Sequence, residues 1–444
     1  MKHLPRSLAI VVVLGLLGSI VRPVTGQAPG EQSTEPSLPT EMININIDSP
    51  DSQAYRIGVP DLLGATPQNH DAATIVRNDF SLMPGYRVVD PASIRHDTVA
   101  EGLAIQAGAW SALDARGVIK GEVRSDGDRL IVEMRFFRVD SPRSAALSRT
   151  YRGHPERLRE WMHEFGNEVL QTITGVLGPF GTQITFARRE RPGRKDVFTA
   201  DMDGVNLRRV SNGQGIAMLP AFGPRNIWYT RLTDTGSFIT NNGSNDRRII
   251  GGSGLNMSPS ICDGRVYFTS SRDGNSEIYS AALDGTDLRR LTRHPSIDVS
   301  PACGPTGQVA FISNRHGSPQ VFVMNRDGTD PRRITFRGNH NQTPAWCPNA
   351  HNPVIAFTGR DAGLDIFTVR LDTQEYTRLT QAQGANKDPA FSPDCRIVAF
   401  VSERRSGTGV YLSSPQGFNQ QLVIPGQAET VRWATRATTN RRAD

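Results

Sequence analysis

The chain has 444 residues, a formal charge of +6 and 37% hydrophobic residues, which is enough for two or three domains with real cores. Nearly all the positive charge is arginine, with lysine only at 2, 120, 195 and 387. No basic run is interleaved with aromatics, which argues against a nucleic-acid groove, and beyond residue 21 no apolar run of about 18 residues could span a membrane.

In chain order, Lys2, His3 and Arg6 precede an apolar stretch at 7–21 that is too short for a comfortable membrane span. It reads as the core of a secretion signal, with cleavage expected after Gly26 and export of the rest. Residues 27–40 are rich in Pro, Ser and Glu, cannot bury a face, and are expected to be a disordered linker. A small α/β domain is expected over 41–178. It opens on "EMININIDS", whose Ile43, Ile45 and Ile47 alternate as in a strand. "YRIGVP" from Tyr55 is a second strand, 72–82 a helix, 86–90 a strand, and 103–115 a helix stopped at Gly117. "GVIKGEVRSDGDRLIVEMRFFRVDS" is a hairpin turning at Asp126-Gly127. Residues 154–174 form a long helix with Leu158, Trp161, Met162, Phe165, Val169, Leu170 and Ile173 on one face and Gly175 as its stop.

From residue 183 a phrase of about forty residues recurs, with aromatic-centred strands at Phe186, Tyr229, Phe268, Phe311, Phe357 and Phe400. Each is followed by a second strand such as "EIYSAAL", an outer strand such as "LRRLT", and a Pro-led segment such as "SPACGP". Four short strands per unit is the signature of propeller blades. The array opens on the second strand of a blade and ends on the first, so the last strand is expected to complete the blade begun at Ile184. The expected fold is therefore an α/β N-terminal domain followed by an all-β six-bladed β-propeller over 183–436, closed by the C-terminal strand, with a disordered tail at 437–444.

Cys262, Cys303, Cys347 and Cys395 fall at or just after the Pro-led segments of successive repeats. Buried thiols and a bridge between adjacent repeats are equally compatible with that placement, and four cysteines allow three full pairings. No C-x-x-C spacing exists, so no zinc site is expected. The recurrent Asp-Gly and Asn-Gly pairs lack the glutamate of a calcium loop and read as tight turns. His163-Glu164 begins a zinc-protease-like string, but Asn167 stands where the second histidine is needed. No G-x-S-x-G, Walker or Rossmann pattern appears. Neither catalysis nor a cofactor or metal is expected from these motifs.

What remains is a set of polar loops before each Pro-led strand. In a propeller such loops converge on one mouth of the central channel, bringing together His294, Asp298, Asn339, His340, Asn341, Lys387 and Asp388. A binding surface is the functional reading, against a rim that merely solvates itself.

Three phrases carry a resemblance to the TolB family of the Tol-Pal system. They are "EMININIDSPDSQAYRIGVPD", the junction "LREWMHEFGNEVLQTITGVLGPFGTQITFARR", and repeats such as "SPSICDGRVYFTSSRDGNSEIY". The resemblance spans about 41–434. It implies a non-catalytic, monomeric periplasmic adaptor supporting envelope integrity and constriction of the outer membrane in division. It implies docking of the lipoprotein Pal at the mouth through Asn256, His294, Asp298, Asn339, His340, Asn341, Thr343, Lys387 and Asp388. It implies contact with the inner-membrane protein TolA through a segment at 41–51 that includes Glu41, Ile43, Ile45, Ile47 and Asp48. The competing expectation is an exported propeller enzyme or carbohydrate-binding module using the same mouth.

Overall fold

The computed structural model describes residues 54–349 and 351–434. The expected signal, linker, 41–51 segment and C-terminal tail lie outside the described residues.

The α/β domain is built on one five-stranded sheet in the order β2-β1-β3-β4-β5. β1 (Tyr55–Gly58) is parallel to both its neighbours, β2 (Tyr86–Val88) and β3 (Gly117–Asp126). β3 forms the expected hairpin with β4 (Arg129–Arg138), with Gly127 at φ 64 in the turn. β5 (Leu147–Gly153) then pairs with β4. Sequence reading missed β5, because its burial alternates weakly and its arginines hide the strand pattern.

Two long helices cover the sheet. α1 (Gln68–Leu82) buries Ala72, Ala73, Val76 and Phe80, and α3 (Leu158–Thr174) buries Trp161, Met162, Phe165, Val169 and Leu170. Gly175, at φ 76, ends α3 and returns its N–H to the Gln171 carbonyl at 2.8 Å. The helix expected over 103–115 shrinks to α2 (Ala107–Ser111). The Glu101 carboxylate takes the Gln106 N–H at 2.8 Å and Asp97 takes those of Val99 and Ala100, so the preceding residues are held in turns.

The remaining strands form six sheets arranged as propeller blades. Five have four strands and one, blade 2, has three. Blade 2 lacks the outer strand expected at "RRIIG". Asn245 and Asp246 are both left-handed there, and Asp246 turns inward to bond the Tyr229 hydroxyl at 2.5 Å and Arg231 at 2.5 Å. Only an Ile239–Ile250 bridge remains. In blade 1 the innermost strand comes from the far end of the array: Ala428–Trp433 pairs antiparallel with Gln183–Arg191.

Every innermost strand carries the same irregularity. Leu219, Ser258, Ser300, Thr343, Asp388 and Thr430 have φ between 50 and 57, and each pairing with the next strand shifts register there. These are β-bulges, and five of the six precede a proline. In four of the six the left-handed turn aims the freed N–H sideways, where the neighbouring blade accepts it. Ser258 donates to Thr230 Oγ1 at 3.1 Å, Ser300 to Thr269 Oγ1 at 3.0 Å, Asp388 to Thr358 Oγ1 at 3.0 Å, and Thr430 to Asp388 Oδ2 at 2.9 Å.

The cysteines form two bridges, Cys262–Cys303 and Cys347–Cys395, each joining adjacent blades. They close sequence separations of 41 and 48 residues, for which chain entropy alone gives about 4 kcal/mol each. Cys347 and Cys395 are buried, so that bridge also belongs to a core cluster with Phe391 and Phe400. Replacing Cys347 and Cys395 together by alanine is expected to lower unfolding stability by ~2–4 kcal/mol. Replacing Cys262 and Cys303 should cost less. Chemical denaturation of both variants checks the order, and equal, negligible losses would contradict it.

Candidate functional site: the propeller mouth

The six segments that lead into the innermost strands lie at one end of the ring. The α/β domain packs on the other. Arg159 reaches Asp201 and Asp203 in the turn after the third strand of blade 1, the latter at 2.5 Å, and Asn78 reaches Asp203 at 3.1 Å. Arg396 donates to Thr174 Oγ1 at 2.6 Å, and Gln421 to the Ser81 carbonyl at 2.7 Å. Phe180, Leu170 and Phe165 share one hydrophobic cluster with Ala390, Ile397, Leu412 and Ile424 of blade 6. Beneath them His163 Nδ1 and Asp79 Oδ2 face each other at 2.8 Å, fully enclosed. The histidine of the zinc-like string is thus a packing element at the domain junction. Among the described residues, this docking leaves the mouth uncovered by the α/β domain.

At the mouth the expected site residues divide by burial. Asn256, Asp298, Asn341, Thr343 and Asp388 are buried, and each is spent on bonds within its blade or to the neighbouring one. Asn256 accepts from Ser270 at 2.8 Å and Arg272 at 2.7 Å, and donates to the Ser237 carbonyl of the preceding blade at 3.2 Å. Asp298 binds Arg315 through both oxygens, at 2.9 and 3.2 Å. Asn341 donates to Gln320 of the preceding blade at 2.8 Å, and Thr343 meets Thr358 at 2.7 Å. The arginines lie over aromatic rings: Arg272 over Phe268 and Tyr279, Arg315 over Phe311 and Phe322, and Arg404 over Phe400 and Tyr411. A fully buried polar group left without its partner costs about 1–3 kcal/mol, more for a charge, so these side chains are committed to structure.

Four expected residues remain reachable. Asn339 is exposed, while His294, His340 and Lys387 are half-buried. His294 uses its ring to accept from the Ser296 N–H at 3.0 Å, which braces its own loop. His340 meets Gln342 at 3.2 Å; burial first, and the nearby Arg360 cation after it, hold its imidazole below the usual range. Lys387 pairs with Glu403 at 2.7 Å, and although burial opposes its charge, that carboxylate and Asp388 raise its pKa.

Sequence reasoning missed the residues just before each bulge. Met257, Val299, Gln342, Lys387 and Glu429 are half-buried at the same repeat position, where the innermost strands border the axial channel; in blade 2 the position holds buried Met218. Of these, the sequence reading names Lys387 and brackets Gln342 between His340 and Thr343. Their common position, one residue before the left-handed one, was the usable signal. Three apolar side chains on blades 2 to 4 therefore face three polar ones on blades 5, 6 and 1. Glu429 is held by Lys195 at 2.5 Å.

Burial raises the pKa of both Asp298 and Asp388. A carboxyl whose folded value lies above its unfolded one stabilises fully below the ordinary aspartate range and progressively loses that contribution as pH climbs to the raised value. Asp388 keeps its contact to the Thr430 N–H through one oxygen, which asparagine can reproduce. Asp388→Asn is therefore expected to flatten the fall in stability above the ordinary aspartate range. Denaturation midpoints of both proteins from pH 4 to 7 test it, and parallel profiles would refute it.

The TolB amino-terminal domain family matches residues 43–144, and the TolB beta propeller domain family matches residues 170–357. The Tol-Pal system protein TolB of Syntrophotalea carbinolica is 32% identical over 188 residues, covering 40% of this chain and 43% of that protein. The TolB homolog of Chlorobium chlorochromatii is 28% identical over 242 residues, covering 53% and 54%. The chain thus spans about half the length of the curated relatives it matches. The crystal structure of TolB from Acinetobacter baumannii superposes with a TM-score of 0.75 at 22% identity, covering 86% of this chain and 97% of that one, a likeness of fold. With a TolB amino-terminal domain preceding a TolB propeller, the chain belongs to the TolB family.

Proposed function

We propose that this protein is a non-catalytic periplasmic adaptor of the Tol-Pal system that docks Pal at the propeller mouth. TolA is the second partner in this reading, reached through the segment at 41–51. One observation supports the mouth above all. The described part of the α/β domain occupies the opposite end of the ring, where Arg159, Arg396 and Gln421 tie the two together, so it does not cover the channel-bordering side chains. Family membership supplies the system, and curated relatives carry the Tol-Pal name.

Burial redirects the choice of contact residues. Asp298 and Asn341 serve the ring, whereas Met257, Val299, Gln342 and Lys387 border the opening with part of each side chain exposed. Gln342→Arg with Met257→Glu should weaken capture of the purified soluble domain of the cognate Pal by roughly tenfold without a change in unfolding midpoint. Asp298→Ala should instead lower the midpoint, because it strands the Arg315 cation. Biolayer interferometry beside thermal unfolding separates the two effects. Full capture by the double variant would remove the mouth from the docking site, and no capture by the unmodified protein would remove Pal as partner.

A further inference from the structure

One loop at the mouth departs from its five counterparts. The residue two beyond the last apolar position of each outer strand is Asn212, Gly252, Arg293, Gln381 or Gly426, and in blade 4 it is Phe336. That ring is 51% exposed, although an aromatic side chain buries a large area when it can. Arg333 lies over it at 5.1 Å, and Arg337 lies over Tyr376 at 5.3 Å. The Phe336 N–H is tied to the Tyr376 hydroxyl at 2.9 Å, so the backbone holding the ring is fixed.

Arginines outnumber carboxylates at this loop. Arg337 and Arg360 are exposed, and neither has a carboxylate within ion-pair distance among the described residues. Asp361, next to Arg360, is already held by Arg378 at 3.2 Å. Arg360 belongs to the same surface, since its N–H donates to the His340 carbonyl at 2.9 Å. Several other arginines at the mouth are spoken for: Arg272, Arg315 and Arg404 lock inner strands, and Arg290 binds Glu277.

We infer that Phe336, Arg337 and Arg360 form an anchor for a partner's peptide segment in which an apolar side chain stands beside carboxylates. The aromatic ring supplies apolar area at little entropic cost, and the two guanidinium groups supply fork-shaped donors that match carboxylates. The loop runs directly into Asn341 and the channel-bordering Gln342, so one partner can engage both. The inference rests on the docking reading in assigning the anchor to that partner, while the chemistry of the patch is tested independently.

The test uses the mature chain and a Phe336→Ser, Arg337→Glu double variant. Both positions are exposed, so the unfolding midpoint should not move. The first probe is a fluorescein-labelled peptide of glutamates flanking a single tryptophan, followed by anisotropy at low and moderate salt. The unmodified protein should bind it, more weakly as salt rises, and the double variant should bind roughly tenfold more weakly. Equal binding by both, or none by either, overturns the inference. The second probe is the soluble domain of the cognate Pal. Loss of capture in the double variant supports the anchor, and undiminished capture overturns its assignment to that partner while leaving the docking reading intact. If Pal binds neither form, the docking reading fails and the peptide result alone decides the anchor.

Discussion

The left-handed residue in each innermost strand is the constraint on which the ring depends. A regular strand would spend its N–H groups within its own sheet. In four of the six blades a residue at φ near +55 rotates one of them toward the preceding blade, where a threonine hydroxyl or a carboxylate accepts it. Placing non-glycine residues there costs of order 1–3 kcal/mol each, so the surroundings must hold them. The proline that follows fixes φ and donates no N–H, which suits a position where the ladder is already broken. Blade-to-blade geometry is thus set by directional bonds and not by apolar contact alone.

A second layer of bonds repeats with the blades. A polar residue opening a third strand takes a hydroxyl from its own outer strand and a group from the next blade. Asp365 takes Thr380, Arg378 and Asn386, and Glu277 takes Thr292, Arg290 and the His294 N–H. An arginine lying on the aromatic pair completes the next inner strand. Much of the arginine that makes the sequence basic is consumed in this way, whereas among the described residues Arg337 and Arg360 flank Phe336's loop with no carboxylate partner.

The sequence made the blades legible because each repeats an aromatic, a Gly turn, an Arg pair and a proline at fixed spacing. The α/β domain was legible where periodicity was strong, as in α3, and illegible where side chains capture backbone groups, as at Glu101 and Asp97. The site was only half readable. Asn256, Asp298 and Asn341 look like loop polars beside Asn339, and nothing local says that three of them point into the ring. The same holds for the cysteines, whose partners depend on which blades are neighbours. Asp246 shows the converse: a single carboxylate drawn toward Arg231 erased an outer strand that its neighbours' pattern predicted.

The parallel pairing of β1 has a mechanical meaning. β1 lies between β2 and β3 and runs with both, and the chain enters it at Tyr55, whose N–H is bound to Gly85 at 2.8 Å. Traction on the chain ahead of Tyr55 would act along the strand, loading two ladders of bonds side by side in shear instead of peeling them open one at a time. The load would pass through α1 and α3 into the cluster shared with blade 6, beside the seam where both ends of the propeller array meet. A ring whose ends are joined next to its point of attachment resists such a pull at the place where an open ring would tear first.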